Sequence, residues 1–270
     1  MHRRITILAL VMALVAVPTA ALALDDDVTT TETDRASTDV ASDAETDRHR
    51  DRLDRLKKRA LEAIDRQLEV LGKLLNAIDE NRFITPGHAG RLQGDIHNAQ
   101  AGLNNLARQI EAATTLEELR PLIEAIPGFQ IGHVMVPKTH QVIVSDAMVA
   151  GAGKLEQFAD RLEEVIARFE EAGYDVDEAW RLLEAMEDHI AAGASLADPV
   201  AENVIGLQPE DWPDPAQGIL AAGRADLEEA GENLRAAHGN GKDIVEFLRG
   251  LHDATDVATT DAAGSDAAGS

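Results

Sequence analysis

The sequence predicts an all-α protein, an antiparallel bundle of four long helices plus one short helix, flanked by disordered acidic tails. Between the tails, apolar residues recur every three or four positions, which is the period of one helix face. Aromatic residues make up only 3% of the 270-residue chain. Alanine and leucine supply most of the apolar content, and this composition favours close helix packing over a β-sandwich. The foldable part, about 200 residues, suffices for one domain with its own core.

The chain opens with the pattern of a secretory signal peptide, residues 1–23. Two arginines precede an apolar run that extends to Val17, and Ala21-Leu22-Ala23 places small residues at the −3 and −1 positions. The apolar stretch would nearly span a bilayer, but Pro18 interrupts it. We therefore expect cleavage after Ala23, export by the general route, and release outside the cell or into its envelope. A retained N-terminal anchor and twin-arginine export are the alternatives.

Segments on both sides of the helical domain are predicted to be disordered. Residues 24–46 combine aspartate and glutamate with threonine and serine, so like charges repel and almost no apolar face can be buried. Residues 254–270 end in a tandem Asp-Ala-Ala-Gly-Ser of low complexity, without the apolar stretch of a membrane anchor. The bundle domain is therefore expected at residues 47–253, and no stable membrane anchor is expected.

The first two helices of the domain are predicted to pack antiparallel. Apolar residues step by three or four from Leu53 to Ile78. Thr85 is placed to cap a second helix that starts at Pro86 and carries its apolar stripe to Ile110. The connection between the two stripes is short, as it is between antiparallel neighbours in a bundle.

Two short elements are expected next. Thr115 and Glu118 have the spacing of a capping box for a short helix that reaches about Ala125. Residues 129–136 are the one strand-like stretch of the domain. Because a single strand would have no partner to pair with, we interpret these residues as an extended crossover packed on the bundle.

The second half of the domain returns to the helical period. A third long helix is expected from about Lys138 to Ala172, where Gly173 ends it. The next helix begins near Asp175, and its apolar stripe reaches Ile190.

A loop and one more long helix complete the predicted domain. Residues 193–214 are rich in proline, aspartate and glycine, so we expect a loop that Trp212 anchors to the bundle. The last helix is expected to open at Pro215. Its stripe keeps phase across Gly239-Asn240-Gly241, which predicts one continuous helix through the glycines.

Charge and the absence of cysteine limit the function. The formal net charge is −24, which disfavours nucleic acid and anionic lipid as partners and favours cations, polyamines or a basic protein. The chain has no cysteine. Disulfides, a lipid attachment to cysteine, thiol nucleophiles, thiolate-held zinc and iron–sulfur clusters are therefore excluded.

No metal site is predicted. Helical bundles hold paired metals through Glu-x-x-His spacing, but no carboxylate stands three residues before His97, His140, His189, His238 or His252. The clusters of glutamate on helix faces lack the glycine-bent loop of a calcium site. We interpret them as solvated faces of amphipathic helices.

The candidate pocket lies where the predicted crossover meets the third long helix. The stretch from Pro137 to Asp146 is the most polar one at the start of an otherwise apolar helix. Lys138, His140 and Asp146 are therefore the candidate pocket residues. The alternative interpretation is ordinary helix-start chemistry, in which short polar side chains bond the first backbone groups of a helix.

The runs Thr115–Arg120 and Val134–His140, followed by Asp146, resemble secreted, uncharacterised helical proteins of high-GC Gram-positive (actinobacterial) type. The resemblance spans residues 50–250 and rests on pattern rather than on a diagnostic motif. It implies an exported compartment and an α-helical fold. It implies no catalytic residue.

The function that these observations favour is non-catalytic. We expect an exported helical-bundle protein with a binding or structural role, whose partner is a basic protein or cations. The runner-up is an acidic protein that binds calcium, other metals or polyamines through its carboxylate faces. An enzyme is least favoured, because no nucleophile–base spacing, phosphate loop or dinucleotide fingerprint occurs. No cofactor is expected.

Overall fold

A computed structural model describes the backbone of residues 38–265 and the side chains of residues 47–253. The chain divides into two compact units, residues 1–49 and 50–270, and the packing and contacts described below belong to the second. The all-α class is confirmed, because residues 38–265 contain helices and turns but no strand. The predicted signal peptide lies outside the described residues, as do the ends of both segments predicted to be disordered.

Six α-helices follow one another along the described backbone. They are α1 (Thr38–Glu80), α2 (Pro86–Ala112), α3 (Leu116–Ala125), α4 (Val136–Glu171), α5 (Asp177–Ile205) and α6 (Ala216–Ser265). A first 3-10 turn (Ile126–Phe129) and a π turn (Ile131–Met135) precede α4, and a second 3-10 turn (Pro209–Asp211) precedes α6. Five of the α-helices have 27 residues or more, one more than the four predicted. Helices α1 and α6 include residues 38–46 and 254–265 of the predicted flanking segments.

Helices α1 and α2 pack antiparallel. Lys57 Nζ near the start of the packed part of α1 donates to Glu111 O at the end of α2, at 2.9 Å. At the other end, Gln93 Nε2 donates to Asp79 Oδ1 at 2.8 Å. The predicted cap is also present, since Thr85 Oγ1 accepts a hydrogen bond from His88 N at 3.2 Å.

Helices α4, α5 and α6 run through two apolar cores. The first core joins Val142 of α4 with Ala197–Ile205 of α5 and the start of α6, and it also includes the apolar faces of α1 and α2. The second core joins Leu162 of α4 with Leu183 of α5 and the far end of α6. Because early α4 meets late α5 and late α4 meets early α5, these two helices are antiparallel. The same reversal makes α5 and α6 antiparallel.

The loop predicted for residues 193–214 is wrong in its first half. Helix α5 continues to Ile205, and Ala197, Val200 and Val204 are completely buried in the first core. A proline inside a helix costs about 3 kcal/mol. At Pro199 this cost is offset by the burial of the apolar residues around it. Only residues 206–215 connect α5 to α6, and Trp212 packs on the first core as predicted.

The extended crossover predicted for residues 129–136 is also wrong. The first 3-10 turn ends at Phe129, and Gln130 has a left-handed backbone conformation with φ of 46°. The Gln130 carbonyl then accepts hydrogen bonds from His133 N and Val134 N at 3.2 and 2.8 Å, with Met135 N at 3.4 Å. A π turn therefore leads directly into α4 and buries the apolar residues that had suggested a strand.

Other expectations about the helices are confirmed. The predicted short helix is α3 (Leu116–Ala125), which contains Pro121. Helix α4 ends at Glu171, just before Gly173, and α6 is continuous through the two glycines at 239 and 241. At Gly241 a Cβ atom would lie 2.7 Å from the Phe158 ring, so the absence of a side chain allows α4 to approach. None of the helices in the part of the chain that the structure describes combines the length and the hydropathy of a membrane span.

Candidate functional site

The first three turns of α4 contain an unusual set of buried polar side chains. Among the described side chains, the buried polar or charged ones are Lys138, Thr139, Gln141, Ser145 and Asp146. Burying such groups costs several kcal/mol each unless they find hydrogen-bond partners. Two of the three residues predicted from the sequence to form a pocket, Lys138 and Asp146, belong to this set.

Lys138 forms a buried ion pair that joins α4 to α2. Its side chain has no solvent exposure, and Nζ donates to Asp95 Oδ2 at 2.7 Å. A second hydrogen bond runs to the carbonyl of Leu207, just beyond α5, at 2.9 Å. The Asp95 side chain retains 25% of its exposure. The lysine is thus enclosed by protein, while its carboxylate partner reaches solvent on the other side.

Two neutral side chains tie α4 to the other long helices. Gln141 Nε2 donates to the carbonyl of Leu220 on α6 at 2.7 Å, and Ser145 Oγ donates to the carbonyl of Ala197 on α5 at 2.8 Å. Gln141 Oε1 and Thr139 Oγ1 are buried without a hydrogen-bond partner among the described residues. The hydrogen bonds of Gln141 and Ser145 join α4 to α6 and α5, and the Ser145 hydroxyl proton is used in its bond to the Ala197 carbonyl.

Asp146 is the centre of a second polar link, across α2, α4 and α5. Its carboxylate accepts a hydrogen bond from Thr85 N at 2.7 Å and lies 2.9 Å from His88 Nδ1. The other ring nitrogen, His88 Nε2, lies 3.0 Å from Glu202 Oε1 on α5. Arg91 is 3.5 Å from the second oxygen of Glu202. The imidazole therefore bridges two carboxylates, and its protonated form donates to both.

The protonation of His88 follows from this bridge. Desolvation, the largest single effect, lowers the pKa of His88. The hydrogen bonds and charges of Glu202 and Asp146 outweigh it together, so the net pKa lies above the ordinary value. In return, the hydrogen bond from His88 lowers the pKa of Glu202.

The third predicted pocket residue, His140, points elsewhere. It is exposed, and partial desolvation together with the nearby charge of Arg224 lowers its pKa. Lys138 and Asp146 have separate partners, two turns apart along α4. The structure therefore gives the three predicted residues three different environments, and it adds Asp95 and His88, which sequence reasoning had not connected to them.

A cavity lies on the solvent side of the Lys138–Asp95 pair. Its volume is about 340 Å³, within the range of small-molecule pockets. Its wall consists of Asp95, Asn98 and Ala99 of α2, Gly128, Phe129 and Met135 of the turns before α4, and Gln208–Glu210. We refer to it as the α2 cavity.

Irregular backbone builds most of the α2 cavity. The two 3-10 turns, the π turn and Gln208, which directly precedes the second 3-10 turn, supply its residues outside α2, and π turns often occur at functional sites. The ring of Phe129 fits beside Gly102, where a Cβ atom would lie 2.6 Å from it. His133 of the π turn stacks on Trp212 with ring centroids 4.6 Å apart, which holds the π turn against the chain after the second 3-10 turn.

The chemistry of these residues is that of binding by hydrogen bonds and charge. Within the described part of the chain, no three His, Asp or Glu residues are arranged to hold a metal ion. At His88 this has a simple cause, since its two carboxylates lie on opposite sides of the ring. Glu210 is exposed at the cavity and forms no ion pair within residues 47–253.

No protein-family model, curated protein or solved structure matches the chain.

Proposed function

We propose that the protein is an exported, non-catalytic binding protein whose ligand occupies the α2 cavity. The observation that carries the proposal is the cavity itself, about 340 Å³ in volume, beside a fully buried lysine paired with Asp95. Small-molecule sites combine apolar wall with a few fixed polar groups. Phe129 and Met135 supply the apolar part, and the buried Lys138 holds Asp95 in position.

The non-catalytic part of the proposal is supported by how the reactive groups are used. Ser145 donates to a backbone carbonyl, and His88 is held between two carboxylates rather than beside a hydroxyl. Neither arrangement provides a nucleophile with a base in reach. We propose further that the bundle, residues 47–253, is released after cleavage at Ala23, between the acidic segments 24–46 and 254–270.

A cavity-filling variant tests this function. Gly128 lines the cavity, and nothing lies within 4 Å of a Cβ atom there, so a side chain can start at this position without a clash, and the leucine of Gly128→Leu is expected to occupy part of the space. The matched control is Gly218→Leu on α6, also open and outside the cavity. The measurement is ligand-observed NMR with single-ring aromatic amines, alcohols and carboxylates.

Binding of some of these compounds to the wild type and to Gly218→Leu, and its loss in Gly128→Leu, is the expected result. If no compound of any charge class binds at millimolar concentration, the proposed function is wrong. It is equally wrong if Gly128→Leu binds every compound as the wild type does.

The second candidate is an acidic protein that binds calcium, other metals or polyamines along its surface. Desolvation and then the charges of its neighbours, Glu163 first, raise the pKa of Glu187, so a bound cation would relieve repulsion there. This candidate requires that millimolar calcium or spermidine raise the melting temperature by several degrees. An unchanged melting temperature with both would exclude it.

A further inference from the structure

The wall of the α2 cavity has carboxylates but no cationic side chain. Asp95 and Glu210 line it, and no lysine, arginine or histidine does. An anionic ligand would therefore face two negative groups without a positive one in contact. This distribution of charge decides which class of ligand the cavity can hold.

The two carboxylates are not equivalent. Lys138 neutralises Asp95 from the protein side through Oδ2, and Oδ1 accepts no hydrogen bond from the described residues. Glu210 has no cationic partner within residues 47–253. The wall thus carries about one uncompensated negative charge and several free acceptor oxygens.

The remaining wall favours an apolar group on the same ligand. Phe129 lines the cavity beside Met135, and its ring packs beside Gly102. A flat apolar group can pack on the ring face, and an adjacent cation can interact with the ring as well as with Glu210. The amides of Asn98 and Gln208 can orient hydrogen-bond donors in between.

On the basis of the proposed function, we infer that the ligand of the α2 cavity is a small organic monocation, an amine or guanidinium attached to an apolar group. An inorganic cation does not fit as well, because three metal-binding side chains do not meet among the described residues. A neutral apolar compound would gain no attraction from Glu210.

Three probes that share a phenyl ring on a two-carbon unit and carry a positive, a neutral or a negative terminal group test the inference. They are phenethylamine, 2-phenylethanol and phenylacetate, each measured by isothermal titration calorimetry with the purified protein at neutral pH and low salt. The amine is expected to bind roughly tenfold more tightly than the alcohol, since a hydrogen bond to a charged partner contributes about 1.5 kcal/mol. Phenylacetate is expected not to bind.

Glu210→Gln is the decisive variant, because the residue is exposed and glutamine keeps its shape. It is expected to weaken phenethylamine binding by roughly fivefold, the effect of a partly exposed ion pair, and to leave 2-phenylethanol binding unchanged. The matched control Glu228→Gln removes the same charge from an exposed position on α6 and should alter neither.

The failures of the inference and of the proposed function are distinguishable. The cavity does not select cations if 2-phenylethanol binds as tightly as phenethylamine, or if Glu210→Gln leaves the binding of both compounds unchanged. The inference is then overturned while the proposed function stands. If no probe binds and the Gly128→Leu comparison is also negative, both are overturned.

Discussion

At the scale of single residues, the Lys138–Asp95 pair is a buried contact on which stability is expected to depend. The Lys138 side chain is almost completely buried, so its ammonium group depends on its protein partners. Removing the charge of one partner of a buried pair is strongly destabilising. Replacing both partners by uncharged groups is far less costly, because no isolated charge is left behind.

Asp95→Asn is therefore expected to lower the free energy of unfolding by about 3 kcal/mol. The double variant Asp95→Asn/Lys138→Met, which removes both charges, is expected to recover part of that loss. Urea denaturation of the wild type, both single variants and the double variant gives the coupling between the two sites. If the double variant loses as much unfolding free energy as the two single variants together, the two charges do not stabilise each other and the prediction is wrong.

His88 makes stability depend on pH in a defined direction. Because its folded pKa is raised above the unfolded value, its contribution is fully present below about pH 6.5 and is lost as the pH rises through the folded pKa. The stability difference between the wild type and His88→Gln should therefore shrink as the pH rises from below 6.5 through the folded pKa of His88.

His140 provides the matched control, because its folded pKa is lowered. As the pH falls, the unfolded chain binds a proton at His140 before the folded protein does, and this destabilises the fold. His140→Gln should therefore become more stable relative to the wild type in acid. Urea denaturation at a series of pH values measures both differences. Parallel pH profiles for the two variants would be incompatible with the environments described here.

The sequence identified Lys138 and Asp146 as site residues but not their partners. Both belong to a conspicuously polar helix start, which is a local signal. Asp95 and His88 lie 43 and 58 residues away from their partners along the chain, and no spacing rule links residues at such separations. Only the packing of α2 against α4 brings them together.

At the scale of elements, periodicity was a better guide than composition. The apolar stripe of α6 keeps its phase through two glycines, and the helix is continuous. Residues 193–205 contain proline, aspartate and glycine, which favour a loop, but they also continue the apolar stripe of α5. They are helical, because the helix buries that stripe. The apolar residues after Phe129 suggest a strand by their composition. The π turn that they form could not be recognised, because a π turn has no simple period in sequence.

Two glycines of α6 that look equivalent in sequence should respond oppositely to alanine. Nothing lies within 4 Å of a Cβ atom at Gly239, so Gly239→Ala is expected to raise the free energy of unfolding by about 0.5–1 kcal/mol. At Gly241 a Cβ atom would lie 2.7 Å from Phe158 and 3.1 Å from Met186. Gly241→Ala is therefore expected to lower the free energy of unfolding by about 1 kcal/mol, because the overpacking outweighs the better helix propensity of alanine.

Urea denaturation of the two alanine variants beside the wild type checks this contrast. The pair is internally controlled, since both changes add one methyl group two residues apart on one helix. Equal stabilisation by both substitutions would mean that α4 does not approach α6 as closely as described.

At the scale of the whole molecule, the proposed export makes a prediction about the mature chain. Protein recovered from the culture medium or cell envelope is expected to begin at Leu24, because the small residues at 21 and 23 suit cleavage there. Intact-mass measurement with N-terminal sequencing determines the first residue. Exported protein that still carries residues 1–23 would contradict the prediction and favour a retained anchor.

The polar first turns of α4 also determine how the helices align along their axes. Alanine- and leucine-rich faces repeat every turn, so sliding one such helix past another by about 5.4 Å brings apolar residues against apolar residues again. Lys138, Gln141 and Ser145 permit no such slip, because each bonds one particular group on another part of the bundle. A displacement of one turn would separate all three side chains from their hydrogen-bond partners. These few side chains thus give an otherwise repetitive bundle a single axial register.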